Sequence, residues 1–188
     1  MVKFADMPKF MSGGNYQCDI GLGYLKDWIK HEKEAYGIDL DPDFQRGNVW
    51  TKKQRVAYME YLVKGGTASY FIQWNSPVIQ SAYRRGDGDL DNTLILVDGK
   101  QRITTALMFL DDEIKVFGHK LSDFEDKWEV LMPTSIRFRM CINNLKARAD
   151  LLRWYLELNE GGTVHSRSEM NRVHQLLDEE LSKGRKVA

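Results

Sequence analysis

The feature that most constrains the fold is an apolar run that ends at an Asp-Gly pair and is followed at once by a helical pattern. Residues 94–97 read Leu-Ile-Leu-Val, which is typical of a buried strand. Asp98-Gly99 marks a turn, and residues 101–110 have the apolar spacing of a helix. The pattern therefore predicts a strand, a tight turn through glycine and a helix start.

This turn is a candidate binding site for an anion. The first N–H groups of a helix lack partners within the helix, and the positive end of the helix dipole lies there. Arg102 adds a guanidinium that can bind a phosphate through paired hydrogen bonds. The stretch has neither the P-loop pattern G-x-x-x-x-G-K-[ST] nor the dinucleotide pattern G-x-G-x-x-G. Because Asp-Gly alone is more often an ordinary turn, the assignment depends on further motifs.

Three segments supply an ordered set of motifs. Residues 40–55 read LDPDFQRGNVWTKKQR, residues 97–105 read VDGKQRITT, and residues 157–166 read ELNEGGTVHS. Together they resemble the P-x-F/Y-Q-R-x-x-V-W, V-D-G-Q-Q-R-L-T-T and L-N-x-G-G motifs of the N-terminal domain of GmrSD-type restriction endonucleases. The motifs appear in the family's order, and the resemblance covers the chain from about residue 20 to about residue 175.

The resemblance implies an α+β fold of the ParB/sulfiredoxin-like kind, with a mixed sheet, surrounding helices and a C-terminal helical part. In that superfamily a G-E-R-R signature binds nucleotide phosphates, and residues 99–102 fall on it. Lys100 departs from the pattern, because the family has glutamine there and ParB-like relatives have an acidic residue linked to hydrolysis. A lysine suits phosphate binding, but a solvated lysine is a poor general base. Binding without fast turnover is therefore one reading of this motif.

The turn and the resemblance together give the candidate site residues. Those assigned to catalysis are Arg102, Gln101 and Asp98. Those assigned to nucleotide or phosphate binding are Gly99, Lys100, Gln101, Arg102, Thr104, Thr105, Gln45 and Arg46. Of the two threonines, we expect one to face the phosphates and the other to be packed. The expected ligand is a nucleoside triphosphate with Mg²⁺ bridging phosphate oxygens, and no protein metal site is expected.

Length and composition bound the remaining expectations. At 188 residues we expect one domain, with an irregular arm at residues 1–18, the ParB/sulfiredoxin-like domain at 19–142 and a C-terminal helical extension at 143–188. The 27 basic and 27 acidic residues argue against a generic DNA-coating protein. With two cysteines and no long apolar run, the chain is expected to be cytoplasmic, with no membrane partner.

Local signals predict the other elements. Thr51 and Gln54 form a capping box that starts a helix, and Gly65-Gly66 closes that helix. Arg137 and Arg139 lie on the outer face of an alternating segment, where they either line a nucleic-acid surface or form a solvated face. Strands are predicted at residues 70–74, 93–97, 113–117 and 135–142, and further helices at residues 101–110, 145–159 and 167–183.

The leading functional hypothesis is a nucleotide-binding regulatory domain, extended to nucleotide hydrolysis, that acts in DNA restriction or phage and mobile-element biology. One alternative is a module that binds DNA or cleaves it weakly, with the turn holding a backbone phosphate. Another is a non-catalytic inhibitor that binds a partner protein. In full-length relatives a separate nuclease domain follows this one. The resemblance therefore implies a stand-alone sensor half, with a partner nuclease or a host protein as its target.

Overall fold

The secondary structure is mixed α and β, as the sequence predicts. The structure, a computed structural model, describes residues 16–45, 47, 49–67, 70–78, 88–132, 134–160 and 167–185. The strands are β1 (Tyr16–Gly21), β2 (Ile38–Asp39), β3 (Phe71–Asn75), β4 (Leu94–Asp98) and β5 (Arg137–Asn143). The α-helices are α1 (Leu25–Ala35), α2 (Lys52–Val63), α3 (Lys100–Leu110), α4 (Lys127–Leu131), α5 (Arg148–Glu160) and α6 (Arg167–Arg185). Two 3₁₀ turns span Leu22–Tyr24 and Leu121–Asp123.

The strands form one mixed sheet in the order β1-β5-β3-β4-β2. The β1/β5 and β3/β4 pairs are antiparallel, whereas the β3/β5 and β2/β4 pairs are parallel. The end of β4 therefore lies at the same edge of the sheet as the starts of β3 and β5. The register aligns Asp98 with Gln73 of β3, and Gln73 with Cys141 of β5.

Strand β4 is buried on both of its faces, which explains its unbroken apolar run. Leu94 and Leu96 belong to the larger core, which β1, β3 and β5 form with α1, α2 and α3. Ile95 and Val97 belong to a second core, which α5 and α6 complete on the opposite face. Alternation of the two faces along a strand places neighbouring residues in different cores. The carboxyl end of β4 is consequently held from both sides.

Helix α2 begins where the sequence predicts. The Thr51 Oγ1 atom accepts a hydrogen bond from the Gln54 backbone N–H at 3.3 Å, and Gln54 Oε1 accepts one from the Thr51 N–H at 2.8 Å. This capping box satisfies two N–H groups that the first turn leaves without helical partners. The helix ends before Gly65, which has a φ of +86°.

One predicted boundary and one predicted strand differ from the structure. Strand β1 starts at Tyr16, so the last three residues of the predicted arm belong to the sheet, where they pair with β5. Residues 113–117 were predicted as a strand, and the structure instead shows a turn closed by a single bridge between Val116 and His119, with Phe117 at a φ of +50°. In both places the outcome depends on a pairing partner that local sequence does not specify.

Among the described residues, no helix combines the length and the apolar character needed to span a bilayer. The helices at 148–160 and 167–185 match those predicted near the C-terminus. The other division of the chain, between the domain at 19–142 and its helical extension at 143–188, stays a prediction.

Candidate functional site

The predicted turn lies between β4 and α3, and its backbone requires glycine. Gly99 is buried, has a φ of +111° and is the N-cap residue of α3. Its carbonyl accepts the first hydrogen bond of the helix, from the Ile103 N–H at 2.9 Å. A Cβ at this position would lie 2.7 Å from Ile72 Cδ1 and 3.0 Å from Ile72 Cγ2. Left-handed backbone and close packing on β3 thus both exclude a side chain here. The result is a sharp reversal that places the start of α3 next to Asp98.

Lys100 is the first helical residue, and its side chain is only 10% exposed. Its ammonium forms an ion pair with Asp41, whose side chain is 74% exposed. The Asp41 backbone N–H donates to Asp39 Oδ1 at 2.9 Å, which orients the segment that carries the carboxylate. The Lys100 side chain is therefore mostly buried, whereas the Asp41 side chain that pairs with it is exposed to solvent.

Arg102 lies one turn from Asp98 along the chain and forms an ion pair with it. The arginine side chain is 15% exposed and the aspartate side chain 45%. Burial raises the pKa of the nearby Tyr58 phenol above its usual range, and the positive charge of Arg102 acts in the opposite direction. The first turn of α3 thus carries two separate cation–carboxylate pairs, and the formal charge of these four groups is zero.

Gln101 holds the segment before α2 against α3. Its Oε1 atom accepts hydrogen bonds from the N–H groups of Val49 at 3.2 Å and Trp50 at 3.1 Å. Its Nε2 atom donates to Gly47 O at 3.1 Å. Both ends of the amide are engaged with backbone, so in this structure the side chain positions a segment of chain. The catalytic role assigned to Gln101 from the sequence stays a prediction.

Gln45 attaches the segment before α2 to strand β4. Its buried side chain donates from Nε2 to the carbonyl of Leu96 on β4. The neighbouring Phe44 is buried against Tyr155 of α5, with ring centroids 5.1 Å apart. Because Gln45 is fixed to the strand that leads into the turn, it lies in the same region as Lys100. Arg46, the other residue predicted from this motif, lies outside the described residues.

The two threonines differ in position, and the expectation that one of them faces the phosphates stays a prediction. Thr105 is fully buried, and its hydroxyl donates to the carbonyl of Gln101 at 2.6 Å. Thr104 is half-buried on α3. The Thr105 hydroxyl is thus used within the helix and faces the core.

Sequence reasoning missed one residue of the site, Asp41, and the Asp43–Arg148 ion pair that holds the same segment. Asp41 is the counter-ion of Lys100, and Asp43 accepts hydrogen bonds from Arg148 Nη2, 2.8 Å from each carboxylate oxygen. The acidic pair that flanks Pro42 was a signal that could have identified the two aspartates. Arg148 gave no such signal, since it lies 105 residues further along the chain.

No metal-binding cluster of three or more His, Cys, Asp or Glu residues occurs in the part of the chain that the structure describes. The donor set at the turn consists of two carboxylates, Asp98 and Asp41, each already paired with a cation. Such a set fits Mg²⁺ only if the ion brings further oxygen ligands from a phosphate, because Mg²⁺ requires six oxygens.

Comparison with known proteins gives one finding. The family model described as the N-terminal domain of the GmrSD restriction endonuclease matches residues 25–184 of this chain. The match spans all three motifs and runs from the start of α1 into α6. No curated protein and no solved structure matches the chain.

Proposed function

Because the chain belongs to the family of GmrSD restriction endonuclease N-terminal domains, which links it to restriction-endonuclease biology, we propose that it is a nucleotide-binding regulatory domain. The ligand's phosphates bind at the turn formed by residues 98–102. The observation that supports this is the placement of Lys100, a nearly buried cation whose counter-ion is exposed. A cation held in this way is available to any anion that displaces Asp41.

Asp41 leaves Lys100 in exchange for another anion, because Lys100 is nearly buried and an uncompensated buried charge is costly. The released carboxylate is well solvated, since the Asp41 side chain is 74% exposed. A phosphate group carries more charge than a carboxylate and offers several acceptor oxygens. The exchange also suits the positive end of the α3 dipole, which favours an anion at the helix start. Lys100 therefore acts as a phosphate-binding residue, and Asp41 competes with the ligand.

Arg102 contributes differently, because it can keep its ion pair when the ligand binds. A guanidinium has five N–H donors, and the bond to Asp98 is made from Nη2. The ion pair with Asp98 orients the Arg102 side chain, and the other N–H donors of the guanidinium can then bind a phosphate. Mg²⁺ would neutralise part of the phosphate charge, and Asp98 is the carboxylate of the turn that would hold it.

Hydrolysis is a separate matter, because it needs a group that orients or deprotonates water. Asp98 and Asp41 are both engaged with cations, and Gln101 is engaged with backbone. We therefore propose binding of the nucleotide without rapid turnover, which suits a domain that signals the presence of its ligand.

The first prediction concerns the competition between Asp41 and the ligand. The Asp41→Asn variant is expected to bind nucleotide about two- to fivefold more tightly than wild type, since the competing ion pair is removed. Calorimetric titration of ATP, GTP and CTP, with and without Mg²⁺, measures this.

Asp126→Asn is the matched control, because Asp126 is exposed, lies at the start of α4 and makes no side-chain cap bond there. The control is expected to bind like wild type. Equal or weaker binding by Asp41→Asn than by wild type contradicts the displacement of Asp41. Absence of nucleotide binding by wild type contradicts the function itself.

Nucleotide titrations, together with oligonucleotide titrations at several salt concentrations, distinguish the two alternative functions raised by the sequence. A protein that holds several DNA phosphates loses affinity steeply as salt increases, and a chain with balanced charge gives little basis for such a slope. An inhibitor that acts through a partner protein binds neither nucleotide nor DNA. Oligonucleotide binding with a steep salt slope, in the absence of nucleotide binding, favours the DNA module.

A further inference from the structure

A cavity lies beside β1 and β5, and none of its lining residues belongs to the turn formed by residues 98–102. Its volume is about 110 Å³, and we call it the Arg137 cavity. Its polar lining comes from β1, from β5 and the chain just before it, and from the segment between α2 and β3: Asp19, Thr67, Tyr70, Ser135, Arg137 and Arg139. Leu62, Gly65, Gly66 and Ile136 complete the wall.

The two arginines lie on the opposite face of the sheet from the larger core. They alternate along β5 with Phe138 and Met140, which are fully buried in that core. The alternation predicted from the sequence is confirmed, and it places both guanidinium groups at one side of a single strand. Arg137 and Arg139 are therefore neighbours at the mouth of one cavity.

Arg139 is fixed in place before any ligand binds. Its Nε and Nη2 atoms donate to the two carboxylate oxygens of Asp19 at 2.8 and 3.0 Å. Its guanidinium carbon lies 5.7 Å from the centre of the Tyr70 ring, and its backbone N–H donates to Tyr70 O at 3.0 Å. Hydrogen bonds from Arg139 hold the pKa of the Asp19 carboxyl below its usual range. The Nη1 donors of Arg139 take no part in these contacts with Asp19.

Arg137 supplies charge that Asp19 neutralises only in part. Its side chain is 54% exposed, and the Asp19 carboxylate oxygen with which it pairs is 3.8 Å from Nη1, beyond hydrogen-bond distance. Two guanidinium groups thus share one carboxylate. The carbonyl end of α2 also lines the cavity, and its dipole opposes an anion with roughly half an elementary charge. The net charge of the two guanidinium groups, the carboxylate and the helix end remains positive.

The size of the cavity limits the ligand to a small group. A volume of 110 Å³ is several times the roughly 30 Å³ that one water molecule occupies in the liquid. It is well below the roughly 300–1,000 Å³ of pockets that enclose drug-sized molecules. Guanidinium groups beside the hydroxyls of Thr67, Ser135 and Tyr70 match a tetrahedral oxyanion with several acceptor atoms.

We propose that the Arg137 cavity binds a phosphate group, with Arg139 as the preorganised donor and Arg137 as the residue whose charge the ligand neutralises. The group belongs either to a small phosphate compound or to the backbone of a nucleic acid. None of the residues that line this cavity belongs to the proposed nucleotide site, so the two proposals can be tested separately.

Nuclear magnetic resonance of protein labelled with ¹⁵N tests this with inorganic phosphate as the probe. We expect the backbone signals of Thr67 and Tyr70, and the side-chain Nε–H signals of Arg137 and Arg139, to shift with one binding constant. Arg137→Ala is expected to weaken binding roughly tenfold or more, since a charge-assisted contact is lost. Arg137→Lys should bind with intermediate affinity, because it keeps the charge without the fork.

Arg153→Ala is the matched control, because Arg153 is a similarly exposed arginine on α5. It should bind phosphate like wild type. Unshifted cavity signals in a large excess of phosphate, or wild-type affinity in a folded Arg137→Ala variant, overturns the proposal. A short oligonucleotide without terminal phosphates identifies the source. If it shifts the same signals, the ligand is a nucleic-acid backbone, and if it does not, the ligand is a small phosphate compound.

Discussion

Gly99→Ala is expected to lower the free energy of unfolding by about 2–5 kcal/mol. Two penalties combine: a non-glycine residue at positive φ costs about 1–2 kcal/mol, and overpacking a core costs about 1–3 kcal/mol. Both apply because Gly99 has a φ of +111° and its missing Cβ would lie 2.7 Å from Ile72 Cδ1. Urea unfolding monitored by circular dichroism measures the change.

Two variants separate the penalties. Gly65→Ala introduces a residue at a φ of +86° with no atom within 4 Å of the new Cβ, so only the backbone penalty of about 1–2 kcal/mol remains. Ile72→Val removes the nearest methyl group, and the loss in the Gly99→Ala/Ile72→Val pair should be smaller than the sum of the single losses. A Gly99→Ala loss no greater than that of Gly65→Ala contradicts the close packing of the turn on β3.

Arg102→Ala is expected to weaken nucleotide binding about 10- to 100-fold. Hydrogen bonds to charged groups contribute about 1.5–3 kcal/mol, and 1.4 kcal/mol corresponds to a factor of ten. The substitution also leaves Asp98 without its cation, so an uncompensated carboxylate then faces the phosphates. Calorimetric titration with the nucleotide that wild type prefers measures the loss, after circular dichroism has established that the variant is folded.

Arg102→Lys distinguishes charge from geometry, because lysine keeps the charge but lacks the planar fork. We expect its affinity to lie between those of wild type and Arg102→Ala. Arg153→Ala removes an arginine from the exposed side of α5 and should bind like wild type. Wild-type affinity in folded Arg102→Ala means that the phosphates bind elsewhere.

The elements that the sequence predicts well are those whose signals are local. The capping box at Thr51 and Gln54 is complete within four residues, and the structure confirms it. The turn at Asp98-Gly99 is equally local, and α3 starts at Lys100, one residue before the predicted start. Short-range hydrogen bonding and backbone preference determine both features, so they can be read without knowledge of the fold.

The elements that the sequence misses depend on partners far along the chain. Strand β2 has two residues and exists because Ile38 and Asp39 pair with β4. The predicted strand at residues 113–117 has apolar residues but only one bridge, to His119. A strand forms where a neighbouring strand is available, and composition does not supply that neighbour.

The candidate site likewise has features that local motifs predict and features that depend on residues far along the chain. The motifs locate Lys100 and Arg102 at a helix start, but they do not indicate that both are compensated by aspartates. The Asp41–Lys100 pair joins residues 59 positions apart, and the Gln101 bonds to the segment before α2 span about 50 positions. Charge neutrality at the turn is therefore a tertiary property, and the pairing of Asp41 with Lys100 makes Asp41 a competitor of the ligand in the proposed function.

The central claim is that nucleotide phosphates bind at the turn between β4 and α3. Backbone amide chemical shifts during nucleotide titration test it most directly, because they report the location of binding as well as its strength. We expect the largest shifts at Gly99, Gln101 and Arg102, with smaller shifts at Asp41 as its ion pair opens. Unchanged amide signals at these residues, whatever shifts elsewhere, contradict the account.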